Sequence, residues 1–234
     1  MSNYESNANV IPTARPRVTV KTVTSLAMLT ALTYVAMLLS KLLPQISGFL
    51  QMDVKDTVVC IGGFLFGPLS AAIISIVVAL VEMFTVSDTG IIGLIMNVLA
   101  TCAFCCTASF IYKKMRTRKG AVLGLLLGTL VLTVVMVLWN YLITPIYMHM
   151  DRSVVAAMLP TVFLPFNLVK GGLNTALTLV LYKPVVTALR KAKLAPERDA
   201  AQKSGDRFDA GFLLFSLALL VTFVLLVLVL AGKI

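Results

Sequence analysis

A chain of 234 residues that is 59% apolar and only 13% charged, with a mean hydropathy of +0.97, is too greasy for a water-soluble fold of that size. Soluble domains are roughly 25% charged, and a small domain leaves much of its surface exposed. The composition therefore defines an integral membrane protein. The net charge of +10 comes from 20 Lys+Arg against 10 Asp+Glu, and no soluble domain is long enough to turn it into a nucleic-acid footprint.

Residues 1–21 are polar and hold Arg15, Arg17 and Lys21 but no apolar core, so they form a tail rather than a cleavable signal peptide. Apolar segments follow near 22–43, 91–112, 121–144, 161–189 and 211–231, each near or above the roughly 20 residues that cross a bilayer. The segment 57–81 is either one kinked span or two helices meeting at Gly67-Pro68. Charge parity decides between them. Basic clusters precede the first span, fill the 113–119 loop and follow residue 189, and all three belong on the cytoplasmic side. That is possible only if the chain turns back at Gly67-Pro68, which leaves a first helix of about 57–66 too short to cross.

The expected architecture is an all-α membrane protein. A six-helix domain over 22–190 has a short second helix and both ends cytoplasmic. A polar linker over 191–209, with Pro196 and Gly205, leads to an additional transmembrane helix within 210–234. The added helix is expected to be peripheral or to pack on a partner. No inverted internal repeat is detectable. The whole positive excess then lies inside, as an orientation signal.

Polar residues within apolar helices are the default functional candidates. Asn97, Asn140, Asn167 and Lys170 all fall towards the outer face. Asn167 and Lys170 are three apart and share a helix face. Lys170 either faces a cavity or snorkels to the interface. Asn140 lies in Trp139-Asn140-Tyr141, where the aromatics fit an interfacial belt but the amide wants a partner, helix or ligand. Asp53-Val54-Lys55-Asp56 could supply paired carboxylates, but reads more simply as a solvated loop with Asp56 capping the next helix. Cys102 and Cys105 lie mid-span and are expected to pack. Ala27 and Ala31 make a small-xxx-small face, suited to a partner helix or to packing within the bundle. There is no P-loop, no H-E-x-x-H and no G-x-S-x-G, so an enzyme reading has little support, and no metal or other cofactor is expected.

Four stretches in order carry a resemblance: Gly48-Phe49-Leu50-Gln51-Met52-Asp53 with Asp56; Ile61 to Pro68; Asn140-Tyr141 with Pro145 and Tyr147; and Pro165 to Gly171. Over about 22–190 the chain resembles the S components of energy-coupling factor (ECF) vitamin transporters, the riboflavin-specific ones in particular. That resemblance implies six helices and a vitamin pocket beneath the first loop. Asn140, Asn167 and Lys170 would hydrogen-bond riboflavin, Phe49 and Leu50 would cover it, and Asn97 would line the same pocket. Trp139 or Tyr141 would stack on the ring. It also implies that Ala27 and Ala31 pack on a T component that works with two ABC ATPases in the bacterial cell membrane. Lys55 and Thr57 replace a Ser and a Pro usual in the family, and the seventh helix is extra. The other readings are an S component for a different vitamin, an autonomous ion-coupled transporter, and a non-transporting scaffold.

Overall fold

A computed structural model describes residues 19–43, 45–195 and 210–233. Helix α1 runs Val20–Ser40, and a β-hairpin of two short strands, β1 (Gln45–Ile46) and β2 (Leu50–Gln51), follows it. Next come α2 (Lys55–Phe66), α3 (Pro68–Thr85) and α4 (Gly90–Thr101), which continues through a π-helical stretch, Cys102–Cys106, into α5 (Thr107–Met115). Helix α6 spans Arg118–Met148. Helix α7 (Arg152–Met158) joins α8 (Leu164–Lys191) through a second π-helical stretch, Leu159–Phe163. Helix α9 is Ala210–Leu230.

Among the described residues, six helices are long and apolar enough to cross a membrane. The protein is a multi-pass, all-α membrane protein, a six-helix bundle joined by one added helix. The fold-back at Gly67-Pro68 is present. Gly67 has φ 98°, a conformation that L side chains avoid, and Pro68 opens α3 as its first residue. At 1.5 Å per residue α2 is about 18 Å long, well short of a roughly 30 Å hydrocarbon core. The span expected at 161–189 is longer, Arg152–Lys191, because Pro160 is absorbed in a π turn rather than ending a helix. The linker expected at 191–209 lies outside the described residues beyond Ala195, and so does most of the tail, 1–18.

The fold gathers its polar groups at one end of the bundle. The α1 C-terminus, the hairpin, the α2 N-terminus, the α3–α4 turn and the α6–α7 turn meet there; this is called the lid end below. At the other end lie Lys21, Lys113, Lys114, Arg116, Arg118, Lys119, Arg190 and Lys191. Hydroxyls inside the spans donate to the carbonyl four residues back, as Thr33 does to Leu29 at 2.7 Å and Thr178 to Asn174 at 2.7 Å. This keeps them satisfied where no water is available.

Candidate functional site

Helix α1 buries Ser25, Leu29, Thr33, Met37 and Ser40, a four-residue rhythm that fixes which face meets the bundle. Ser40, at the end of that stripe, accepts the backbone N–H of Val54 at 3.1 Å. Gln51 donates its side-chain amide to the carbonyls of Ser40 and Leu43 at 2.9 and 3.2 Å. The hairpin is thus hung from the C-terminal end of α1, and the tilted contact of Phe49 with Phe163, 5.9 Å between ring centroids, holds its tip across the bundle.

Beneath this lid lies a cavity of about 250 Å³. Phe49 and Leu50 form its roof, and Asn140, Phe166, Asn167 and Lys170 line one wall. Asn97 and Glu82 line the opposite side, and Ser87 to Thr89 of the α3–α4 turn lie at its edge. The structure therefore brings together six of the seven residues expected to contact a ligand. Tyr141 is the exception. It is partly exposed, with the Arg152 guanidinium 5.7 Å above its ring, and does not line the cavity. Trp139 packs against the main apolar core instead. The aromatic surfaces that line the cavity are Phe49 and Phe166. On α6 the helix rotation that turns Asn140 inward necessarily swings its immediate neighbours away.

Lys170 is only 8% exposed and donates to Asp53 at 2.7 Å, so it does not snorkel. Burial alone would raise the Asp53 carboxyl. The ammonium of Lys170, with that of Lys55 behind it, holds that carboxyl below the usual carboxylate range. The expected solvated loop with Asp56 as helix cap is also corrected. Asp53, Lys55 and Asp56 are all buried, and α2 begins at Lys55, which places Asp56 in its first turn. The Asp56 carboxylate accepts from Thr101 at 2.7 Å, and Lys55 donates to Glu82 at 3.0 Å. The local sequence looks solvent-exposed, but Asp53 and Lys55 each meet an opposite charge on another helix and Asp56 meets a hydroxyl, and these partners let the segment sink into the bundle.

The amides differ in what they have left to offer. Asn97 donates to Glu82 at 3.0 Å, and Lys41 reaches the same carboxylate at 3.6 Å, so Asn97 is held by α3 rather than aimed freely. Asn140 donates to the Met136 carbonyl and accepts from Thr144, at 2.6 and 2.9 Å. Asn167 donates to the Phe163 carbonyl at 2.8 Å. An amide nitrogen carries two N–H donors, so Asn140 and Asn167 each keep one for an occupant.

Asn174 is a site residue that the sequence reading passed over. Its side chain accepts from the Thr57 backbone N–H at 3.1 Å and donates to the Asp53 carbonyl at 2.9 Å, fixing the lid's exit to α8. The signal was available: Asn167, Lys170 and Asn174 stand at i, i+3 and i+7 on one face. Cys102, Cys105 and Cys106 fall in the π stretch within a span. Cys105 is buried 3.2 Å from Cys60, sulfur to sulfur, and packs as expected, away from the cavity.

A membrane bundle whose polar residues close around a roofed cavity, with the lysines Lys170 and Lys55 paired to carboxylates, has the form of a solute-binding membrane subunit. Comparison with known proteins gives the family. The model of the ECF transporter, substrate-specific component, matches residues 21–182, and the chain belongs to that family. It is a transporter component, not an enzyme. It is 30% identical over 187 residues to the riboflavin transporter FmnP of Bacillus subtilis (strain 168), covering 75% of this chain and 98% of that one. It is 29% identical over 178 residues to the riboflavin transporter RibU of Staphylococcus aureus (strain TCH60), covering 73% and 93%. A solved S component of a bacterial ECF transporter superposes with a TM-score of 0.62 at 28% identity, over 73% of this chain and 98% of that one.

Proposed function

We propose that the chain binds riboflavin in the cavity under the hairpin, from the outer face of the cell membrane, and delivers it inward with a T component and two ABC ATPases. The observation that carries this reading is the cavity wall. Asn140 and Asn167 each hold a spare N–H donor beside Lys170, opposite the apolar roof of Phe49 and Leu50. A flat, uncharged, hydrogen-bonding molecule fits such a slot, apolar on its faces and polar at its rim. The two relatives named as riboflavin transporters support the choice of vitamin. At about 250 Å³ the cavity lies close to the roughly 300 Å³ at which small-molecule sites begin.

In this reading residues 22–190 are the binding domain, and α9 is attached to it through the 191–209 linker. The gathering of basic residues at the end opposite the lid supports a cytoplasmic N-terminus and an outward-facing lid. Purified protein should carry flavin absorbance or take up riboflavin, and Asn167→Leu should weaken binding about tenfold by removing one buried donor. Equilibrium titration against a panel of vitamins checks this. Tight binding of another vitamin with none of riboflavin would reassign the specificity, and uptake into vesicles without ATPase partners, driven by an ion gradient, would favour a self-sufficient carrier.

Ala27 and Ala31 are exposed on α1, which supports a face on which a T-component helix lies closely, rather than packing inside this bundle. Ala27→Trp with Ala31→Trp should abolish ATP-driven uptake in the reconstituted complex. Riboflavin binding by the isolated component should stay within about twofold, because neither side chain approaches the cavity.

A further inference from the structure

Helix α9 lies beyond residue 182, where the family match ends. It presents Leu220, Phe223, Val227 and Leu230 at i, i+3, i+7 and i+10, one continuous stripe. The remaining faces, including Leu214, Val221 and Val229, are exposed. The stripe meets α8 at Gly172, where a Cβ would fall 2.1 Å from the Phe223 ring, so any larger residue there displaces that ring.

Farther along, Val227 is buried in an apolar cluster made from three parts of the chain. The hairpin and its flank contribute Ile46 and Met52, and α8 contributes Phe166, Val169 and Leu173. Phe223 and Leu230 pack against this cluster from α9, and Leu50 from the roof. Phe166 and Leu50 both line the cavity. One cluster therefore joins the roof, the wall and the added helix.

We propose that Phe223 and Val227 are positioning residues for the lid: α9 braces the hairpin over the bound solute and slows its release. This rests on the riboflavin reading. The hairpin's polar anchors are the Gln51 and Ser40 hydrogen bonds at α1 and the Asp53–Lys170 and Asn174 bonds at its exit, with the Phe49–Phe163 contact at the tip; its apolar underside rests on the cluster that Val227 shares. A lid closed over a bound solute opens at a rate set by what it has to tear away from. The Val227 side chain belongs to that set, because its cluster loses Ile46 and Met52 whenever the hairpin rises.

The test is release of radiolabelled riboflavin from the full-length protein into excess unlabelled riboflavin. Val227→Ala should speed dissociation about fivefold, as expected for two buried methyl groups lost, with association little changed. Gly172→Ala, made on the other helix, should act in the same direction by pushing the Phe223 ring off its seat. Val227→Ile should restore slow release, and Val221→Ala, on a lipid-facing surface, should behave as wild type. In a Phe49→Ala background, where the lid tip is already loose, the Val227 effect should shrink. A merely structural role for α9 would lower thermal stability without dividing the two rates in this way. If wild type binds riboflavin and both Val227→Ala and Gly172→Ala release it at the wild-type rate, the brace is overturned alone. If wild type binds no riboflavin, the functional reading falls first and this proposal with it.

Discussion

Lys170→Met should weaken riboflavin binding on the order of 100-fold and also destabilise the empty protein. Both effects arise from the same ion pair. The change removes the one ammonium on the cavity wall of α8, and it strands the buried Asp53 carboxylate, whose only side-chain partner among the described residues is Lys170. Stranding a buried charge costs about 3–5 kcal/mol. The two losses separate in the double variant Asp53→Asn with Lys170→Met, where no charge is left unpaired. The double variant should recover most of the thermal stability, since a buried pair exchanged for neutral groups is often nearly isoenergetic. It should not recover binding. Thermal unfolding in detergent, followed by titration with riboflavin, reads both numbers. Binding restored in the double variant would mean that Lys170 acts on the lid through Asp53 and not on the ligand.

Gly124→Leu or Gly128→Leu should lower the unfolding midpoint by about 10 °C, the largest stability loss expected from any single substitution in α6. An added Cβ at Gly124 would lie 2.7 Å from the Ala108 carbonyl oxygen, and at Gly128 2.7 Å from that of Phe104. Both obstacles are backbone, so no side chain can yield and the helices must part. With Gly120 these residues make a glycine every fourth position along one face of α6, the close-approach pattern of membrane helices. Separation at Phe104 would also disturb the main core, where that ring is fully buried with Leu125 and Leu132. A lipid-facing substitution on the same helix, Leu126→Ala, should leave the midpoint nearly unchanged. A midpoint unaffected by Gly128→Leu would show that α6 and the π stretch have room to slide apart.

The bundle was legible because membrane insertion writes its rules directly into composition. The fold-back at Gly67-Pro68 followed from where the basic residues must sit, before any geometry was known. Lys170 and Asn167 were legible because a polar group inside an apolar helix is expensive wherever it goes. What could not be read was pairing. Nothing in Asp53-Val54-Lys55-Asp56 says that Lys55 will meet Glu82 or that Asp53 will meet Lys170. Those partners are 27 and 117 residues away, so the segment looked like a solvated loop. That Phe166 lines the cavity while Trp139 and Tyr141 do not depends on helix rotation, which hydropathy does not resolve when every side of a helix is apolar. The glycine ladder of α6 and the Asn174 position are present in the sequence as spacings, but a spacing of glycine or asparagine carries no meaning until the backbone or charge that faces it is known.

The two self-paired lysines have an electrical consequence. Lys170 with Asp53, and Lys55 with Glu82, each sum to zero within about 3 Å. A unit charge carried through a membrane potential of 100 mV gains or loses about 2.3 kcal/mol, whereas these pairs carry none. If the wall around the cavity shifts relative to the bilayer while the solute is handed on, the pairs move as small dipoles, and voltage neither drives nor resists them. An uncharged cargo keeps that neutrality, so in the proposed function the membrane field does no work on the solute as it passes the site.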